Sequence, residues 1–318
     1  MRDDLESVVQ ILGRHAWDGE VPWPQISLWL ENFKGEVIDK EEEQLYALYA
    51  LSRFMYFGRR LVREMLRSLY RDHFESPLKQ EIRRKNGNTK DFALIQRLYE
   101  KELLATRFLG IGNPAESGAH LLYYFRQINH LPKDLFADIS TAFEPQVRDG
   151  HTVGYAPRDA NIKRYVFFDD LVGSGTQASD YLGHCLPSIK AESPESKILY
   201  MCLFGTQVGM DKVNEPNLFD GEAMCLFFLD QSYKAFDNQT RHFKGAPDWF
   251  NLETMRNIAL HYGKKLWAGA PLGYKSGQLL LSFSHNTPDN APPIFWDEGA
   301  KSTWIPVFLR YGKFTEYL

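Results

Sequence analysis

The chain has 318 residues, of which 44% are hydrophobic and 25% charged, and its formal net charge at pH 7 is −4. This composition is typical of a soluble globular protein, and no run of 18 apolar residues predicts a membrane span. The three cysteines (Cys185, Cys202 and Cys225) are an odd, widely spaced set, which argues against a disulfide framework or a zinc site. With an acidic N-terminus that lacks a signal-peptide pattern, they predict a protein of the reducing cytoplasm.

Residues 1–105 are predicted to form a helical N-terminal region. Apolar side chains recur at helical spacing over residues 5–12, 26–33 and 41–70, and prolines interrupt the chain after the first of these segments. Gly58 is expected to bend the third segment or to divide it into two helices.

A basic window lies within this helical region, between residues 51 and 90. It contains eleven Lys and Arg residues against four acids, whereas the chain as a whole is acidic. Such a window could bind nucleic acid or another polyanion, or it could be a solvated helix face with ion pairs inside the chain. The candidate nucleic-acid contacts are Arg59, Arg60, Arg63 and Arg67.

From residue 106 to residue 318 the pattern changes to short apolar runs that alternate with helical segments. Strands that are apolar on both faces and separated by helices predict an α/β domain with a parallel sheet and helical crossovers. The domain boundary is therefore expected near residue 105. Apolar runs within residues 277–296 and 304–312, joined by a Pro- and Asn-rich loop, predict a C-terminal β hairpin or hood.

The segment YVFFDDLVGSGTQ, residues 165–177, combines a buried strand, two adjacent acids and a glycine-hydroxyl turn. At the carboxyl end of a parallel strand, glycines let backbone N–H groups approach an anion, and a following helix adds partial positive charge. A phosphate would repel Asp169 and Asp170, so these acids are expected to face sugar hydroxyls or a divalent cation. A phosphorylated ribose with Mg²⁺ satisfies both requirements.

This segment resembles the 5-phosphoribosyl-1-pyrophosphate (PRPP) binding motif of type I phosphoribosyltransferases. The resemblance implies that fold, a PRPP or related ribose 5-phosphate ligand and Mg²⁺, with Asp169 and Asp170 on the ribose hydroxyls. It also implies a loop around the 5′-phosphate, consisting of Gly173, Ser174, Gly175, Thr176 and Gln177. The family usually has Thr or a similar residue at the position of Gly173, and a small or hydroxyl residue at that of Gln177.

A second loop supports the match. The segment RFLGIGNPAESG, residues 107–118, has the order of strand, Gly/Asn/Pro loop and helix start that these enzymes use to bind pyrophosphate. The corresponding candidates are Asn113, Glu116, Ser117 and Gly118.

A wider resemblance covers most of the chain, carried by FFDDLVGSGTQ, PLGYKSGQLLLSFSHNTPDNAPPIFW and ISLWLENF. These segments look like the phosphoribosyltransferase-like effector proteins of bacterial anti-phage systems, including those of retrons. The resemblance implies a cytoplasmic toxin effector in antiviral defence, with a retron reverse transcriptase and its DNA, or other defence proteins, as partners and no membrane. It favours a transferase acting in glycosyl transfer; the alternative is a non-catalytic nucleotide sensor or a nucleic-acid- or partner-binding module on the same fold.

Overall fold

A computed structural model describes residues 1–112, 117–299 and 304–310 of the chain. Up to residue 137 its main helices and strands are α1 (Arg2–Ile11), α2 (Trp23–Leu30), α3 (Lys40–Ser52), β1 (Met55–Phe57), α4 (Arg59–Tyr70), α5 (Ser76–Lys85), α6 (Phe92–Leu104), β2 (Thr106–Gly110), α7 (Ser117–Ile128) and β3 (Phe136–Ala137). From residue 139 they are α8 (Ile139–Ala142), β4 (Phe143–Arg148), β5 (His151–Pro157), β6 (Arg164–Val172), α9 (Thr176–Leu182), α10 (Leu186–Glu192), β7 (Lys197–Thr206), α11 (Gln207–Val213), β8 (Ala223–Leu229), α12 (Leu252–Leu266) and β9 (Leu281–Phe283). Within these described ranges, no helix combines the length and the apolar character needed to cross a membrane.

The helices predicted for the first 105 residues are present, and two of them begin at aspartate caps. The Asp39 carboxylate accepts a hydrogen bond from the backbone N–H of Glu41 at 2.9 Å, which starts α3. Asp91 caps α6 in the same way through the N–H of Leu94 at 3.0 Å. The break expected at Gly58 is also found, and the short strand β1 lies between α3 and α4.

The predicted parallel sheet with helical crossovers is confirmed. Its five strands lie in the order β3-β2-β6-β7-β8, and every neighbouring pair is parallel. Helices connect the strands: α7 follows β2, α9 and α10 link β6 to β7, and α11 links β7 to β8. Strand β6 is central and almost wholly buried, which explains its continuous apolar run.

The chain forms two compact units, Met1–Val62 with Asp230–Leu318, and Arg63–Leu229. The boundary predicted near residue 105 does not coincide with this division, because the helices before residue 105 help to build the core of the sheet unit. The ring of Phe74 lies 5.1 Å from that of Phe108 in β2, and Tyr70 lies 5.7 Å from Phe125 in α7. Aromatic packing of this kind joins α4 and the turn after it to the sheet.

The C-terminal hairpin is not formed in the described residues, and that part of the prediction is corrected. Strand β9 pairs in parallel with β1, in register from Met55 with Leu281 to Phe57 with Phe283. The next apolar segment, Pro293–Phe295, forms a 3₁₀ turn instead of a strand. Consecutive prolines have no N–H to donate to a ladder, so they end strand pairing here.

Candidate functional site

The two acids of the motif lie in the buried last part of β6. Asp169 lies opposite Cys202 of β7 in the parallel register, and Asp169 is only 4% exposed. Asp170 is 8% exposed. Each carboxylate accepts a hydrogen bond from the backbone N–H of the residue that follows it, at 2.9 Å for Asp169 and 2.7 Å for Asp170. Strand β6 therefore holds both carboxylates near the carboxyl end of the sheet.

The two acids point to opposite faces of the sheet, because successive side chains of a strand alternate. Asp169 shares its face with Phe167, whose ring is 5.7 Å from Phe219. Asp170 shares the other face with Phe168, whose ring is 5.0 Å from Phe125 of α7. Asp170 therefore lies on the face that α7 covers.

Tyr200 of β7 is a partner of Asp169 that sequence reasoning missed. Its hydroxyl donates a hydrogen bond to Oδ2 of Asp169 at 3.4 Å. Burial, with the neighbouring Asp170 charge as a second cause, raises the pKa of Asp169 well above the usual carboxyl value. Burial also raises the pKa of Tyr200, so its hydroxyl stays a donor. The register of β6 with β7 places the Asp169 and Tyr200 side chains on the same face of the sheet. The apolar pattern of either strand alone does not predict this contact.

The glycine turn after β6 is shaped by Gly175, which has a φ of +70° and is the N-cap of α9. A Cβ at this position would lie 2.7 Å from Cβ of Lys212 in α11, so the site excludes a side chain on two grounds. The hydroxyls of Ser174 and Thr176 hydrogen-bond each other at 2.9 Å. Gln177 follows in the first turn of α9 and is exposed.

Thr206, the last residue of β7, holds this turn in place and was also missed from the sequence. Its hydroxyl donates to the carbonyl of Gly173 and accepts from the N–H of Gly209 at 3.0 Å, so it caps α11. Gly209 lies so close that an added Cβ would be 2.5 Å from the carbonyl oxygen of Val172 and 2.6 Å from that of Gly173. The phosphate-loop candidates and the start of α11 therefore form one packed unit.

The predicted pyrophosphate loop is described only at its two ends. Asn113 and Glu116 lie outside the described residues, and Ser117 begins α7. Before the loop, the N–H of Ile111 donates to the carbonyl of Phe168 at 3.0 Å, so the loop leaves β2 beside the acids' strand. Gly118 lets α7 approach this edge, since a Cβ there would be 2.8 Å from the Ile111 oxygen and 3.0 Å from the Phe168 oxygen.

Three of the four arginines predicted to contact nucleic acid form ion pairs within their own compact units. Arg59 pairs with Glu20 at 3.2 Å and Arg60 with Asp18 at 3.6 Å. Arg67 pairs with Glu64, three residues earlier on α4, at 2.7 Å. Exposed pairs of this kind contribute only about 0–1 kcal/mol each. Arg63 instead donates to the side-chain oxygen of Gln127 at 3.3 Å. Nucleic-acid binding by these residues stays a prediction.

The donor set near the acids differs from that of a dedicated metal centre. Within the described residues, no group of three or more His, Cys, Asp or Glu side chains could hold a metal ion. Because Asp169 and Asp170 point to opposite faces of the sheet, one Mg²⁺ could be bound here by a single carboxylate, with substrate oxygens and waters completing the octahedron.

Comparison with known proteins identifies one matching family. The family model described as PRTase-CE matches residues 26–310. Among solved structures, the chain is similar to the Helicobacter pylori xanthine-guanine-hypoxanthine phosphoribosyltransferase, with 13% identity over 55% of this chain and 84% of that chain and a TM-score of 0.27. A similarity at this TM-score carries no argument about the site. No curated protein matches the chain.

Proposed function

The chain belongs to the PRTase-CE family, which is phosphoribosyltransferase-like, and from this we propose that it binds PRPP or a related ribose 5-phosphate ligand at the carboxyl end of β6. One observation carries the proposal. The acids lie in the last part of the central strand of a parallel sheet, and the glycine turn follows that strand directly, at the end where ligands of such sheets bind.

The turn from Gly173 to Gln177 is proposed to hold the 5′-phosphate. Gly175 lets the turn bend at a positive φ and pack against Lys212 of α11, and Ser174 and Thr176 supply hydroxyl groups to the ligand. Thr206 fixes the carbonyl of Gly173, which keeps the turn preorganised before the ligand arrives. A preformed turn reduces the ordering cost of binding.

The two acids are proposed to have unequal roles. Asp170, on the face covered by α7, would accept hydrogen bonds from the ribose hydroxyls. Asp169 lies on the opposite face, where the Tyr200 hydroxyl bonds to it. It would therefore help to hold β6 against β7 and would contact the sugar less than Asp170 does. This differs from the sequence prediction, in which both acids faced the ribose.

The proposed reaction is substitution at the anomeric carbon of the ribose. The bond from this carbon to the pyrophosphate oxygen breaks, and the electron pair leaves with pyrophosphate while an acceptor nucleophile forms the new bond and loses its proton. The Asp170 carboxylate would favour the positive charge that develops on the sugar ring. Mg²⁺, when bound by the ligand oxygens and Asp170, would neutralise charge on the pyrophosphate.

We propose an anti-phage effector role for this activity, of the kind found in retron systems. Its support is family membership together with the resemblance of the motif and C-terminal segments to such effectors. Expression of the chain with its neighbouring genes tests this role under phage challenge. Protection that is lost in an Asp170→Asn variant supports it, and protection that is independent of Asp170 contradicts it.

A second candidate function is a sensor that binds the ligand without turnover. Gly173 and Gln177 favour it, because the family usually has Thr or a similar residue at the position of Gly173 and a hydroxyl or small residue at that of Gln177, so the phosphate here would be held more by the backbone than by side chains.

Release of pyrophosphate from PRPP and Mg²⁺ distinguishes an enzyme from a sensor. The assay includes bases, nucleotides or tRNA as acceptors. Release that requires an acceptor and disappears in Asp170→Asn supports the transferase. Saturable binding of PRPP without release supports the sensor, and the absence of binding contradicts both.

A further inference from the structure

Helices α4 and α7 meet on the surface of the sheet unit through Arg63. Its guanidinium lies over the ring of Tyr124 at 5.3 Å and donates to Gln127 at 3.3 Å. Arg63 is exposed, yet these two contacts fix its direction along α7. In the described part of the chain no carboxylate lies within ion-pair distance of it, unlike the three other arginines of the predicted set.

Beside this contact lies an open cavity of about 400 Å³, lined by Arg126, Gln127, His130 and Leu131. The Nε atom of Arg126 is buried and has no hydrogen-bond partner among the described residues. Buried N–H donors are nearly always paired, so this donor calls for an acceptor. Arg126 also has no carboxylate within ion-pair distance in the described ranges.

An aromatic side chain completes the same surface. Tyr123 is 55% exposed and precedes Gln127 by four residues, so the two share one side of α7, while His130 lies in the turn just after the helix and lines the cavity. Its ring lies 5.8 Å from that of Tyr124, under Arg63. Guanidinium groups beside an exposed aromatic ring are typical of surfaces that bind single-stranded nucleic acid, because the phosphates pair with the cations and the bases stack on the ring.

We propose that this surface, formed by Arg63, Tyr123, Arg126, Gln127 and His130 and named here the α4–α7 face, binds single-stranded nucleic acid. Arg126 and Arg63 contact successive phosphates, and Tyr123 stacks on a base. The C-terminal end of α7 carries partial negative charge that opposes an anion. The attraction therefore comes from the two guanidinium groups, neither of which has a carboxylate within ion-pair distance among the described residues. The binding is independent of the proposed PRPP site.

Fluorescence anisotropy with a labelled single-stranded oligothymidylate, measured over a salt series without PRPP or Mg²⁺, tests the proposal. Arg63→Gln with Arg126→Gln is expected to weaken binding by roughly tenfold or more. It should also reduce the slope of log affinity against log salt by about 1.4, which corresponds to two lost phosphate contacts on a single strand. Tyr123→Ala should weaken binding about fivefold or more and leave the slope unchanged, because stacking releases no counterions.

The matched control removes two exposed arginines from α5 and α6, Arg83→Gln with Arg97→Gln. This control pair should change affinity less than about twofold, and PRPP binding should be unaffected in every variant. The proposal is overturned if the unsubstituted chain shows no saturable binding up to about 100 µM, or if the control pair loses as much affinity as the test pair. Displacement by inorganic phosphate at the same total phosphate concentration would assign the face to a small anion and also overturn it.

Discussion

Gly209→Ala tests how tightly the start of α11 packs under the glycine turn. Gly209 is the third residue of a regular helix, where alanine is normally better than glycine by up to about 1 kcal/mol. Here, however, the new Cβ would lie 2.5 Å from the Val172 oxygen and 2.6 Å from the Gly173 oxygen, whereas ordinary contact begins at 3.4 Å. Both neighbours are backbone atoms and cannot rotate away.

The magnitude follows from these two opposing effects. Restoring ordinary contact at 3.4 Å requires α11 and the turn to separate by roughly 0.8–0.9 Å, and overpacking of this kind costs about 1–3 kcal/mol. The helix preference of alanine offsets up to about 1 kcal/mol of that cost. We expect a net destabilisation of about 1–2 kcal/mol. Because the turn must move, PRPP affinity should also fall by roughly tenfold or more.

Urea unfolding and calorimetric titration of PRPP measure the two effects. The expected loss of stability lowers the urea midpoint by roughly 0.5–1 M. Gly269→Ala is the matched control, since its new Cβ would meet only Nε1 of Trp267 at 3.8 Å, and it should change stability by less than about 0.5 kcal/mol. A Gly209→Ala protein as stable as the unsubstituted chain would refute the packing of α11 against the turn.

Three further predictions concern buried or half-buried polar groups. Thr206→Val removes the cap of α11 and the hydrogen bond to the Gly173 carbonyl, so urea unfolding should show stability lower by about 1–2 kcal/mol. Thr206→Ser keeps the hydroxyl and should lose much less stability; an equal loss in both variants contradicts this role. The raised pKa of Asp169 means that the unfolded chain ionises at lower pH than the folded chain, so stability falls as pH rises above the usual carboxyl range. In urea unfolding, the stability of Asp169→Asn relative to the unsubstituted chain should therefore increase as pH rises above that range; a difference that is constant with pH would show that Asp169 does not titrate in this way. Glu43 is fully buried and accepts hydrogen bonds from backbone N–H groups and the Tyr262 hydroxyl. Glu43→Gln places an NH₂ group opposite these donors, so it should lower the thermal midpoint and reduce the free energy of unfolding by roughly 2–3 kcal/mol. An unchanged midpoint would refute this role.

The strand and turn of the candidate site were predictable because their signals are local. Four apolar residues before the acids indicate a buried strand, and the glycines after them indicate a turn into a helix. Tyr200 and Thr206 could not be found in this way. Tyr200 meets Asp169 only through the register of β6 with β7, and Thr206 reaches Gly173 only because both strands end side by side.

One feature of the fold was mispredicted because tertiary packing overrides local pattern. The apolar run before Phe283 has the appearance of a hairpin strand, but it pairs with β1 more than 200 residues earlier in the chain. The boundary near residue 105 stays a prediction from the change of apolar pattern there, and Phe74 packs on Phe108 across it. The periodicity of apolar residues predicts whether a segment is a helix or a strand, whereas tertiary packing decides which other elements it contacts.

The central claim is that the end of β6 binds PRPP. Calorimetric titration of PRPP with Mg²⁺ into Asp169→Asn with Asp170→Asn tests it most directly, against a control that removes two exposed acids of the same unit, Asp180→Asn with Asp220→Asn. We expect the unsubstituted chain and the control to bind alike, and the test pair to bind roughly a hundredfold more weakly or not at all, since hydrogen bonds to charged groups contribute about 1.5–3 kcal/mol each. Unchanged binding by the test pair would contradict the claim.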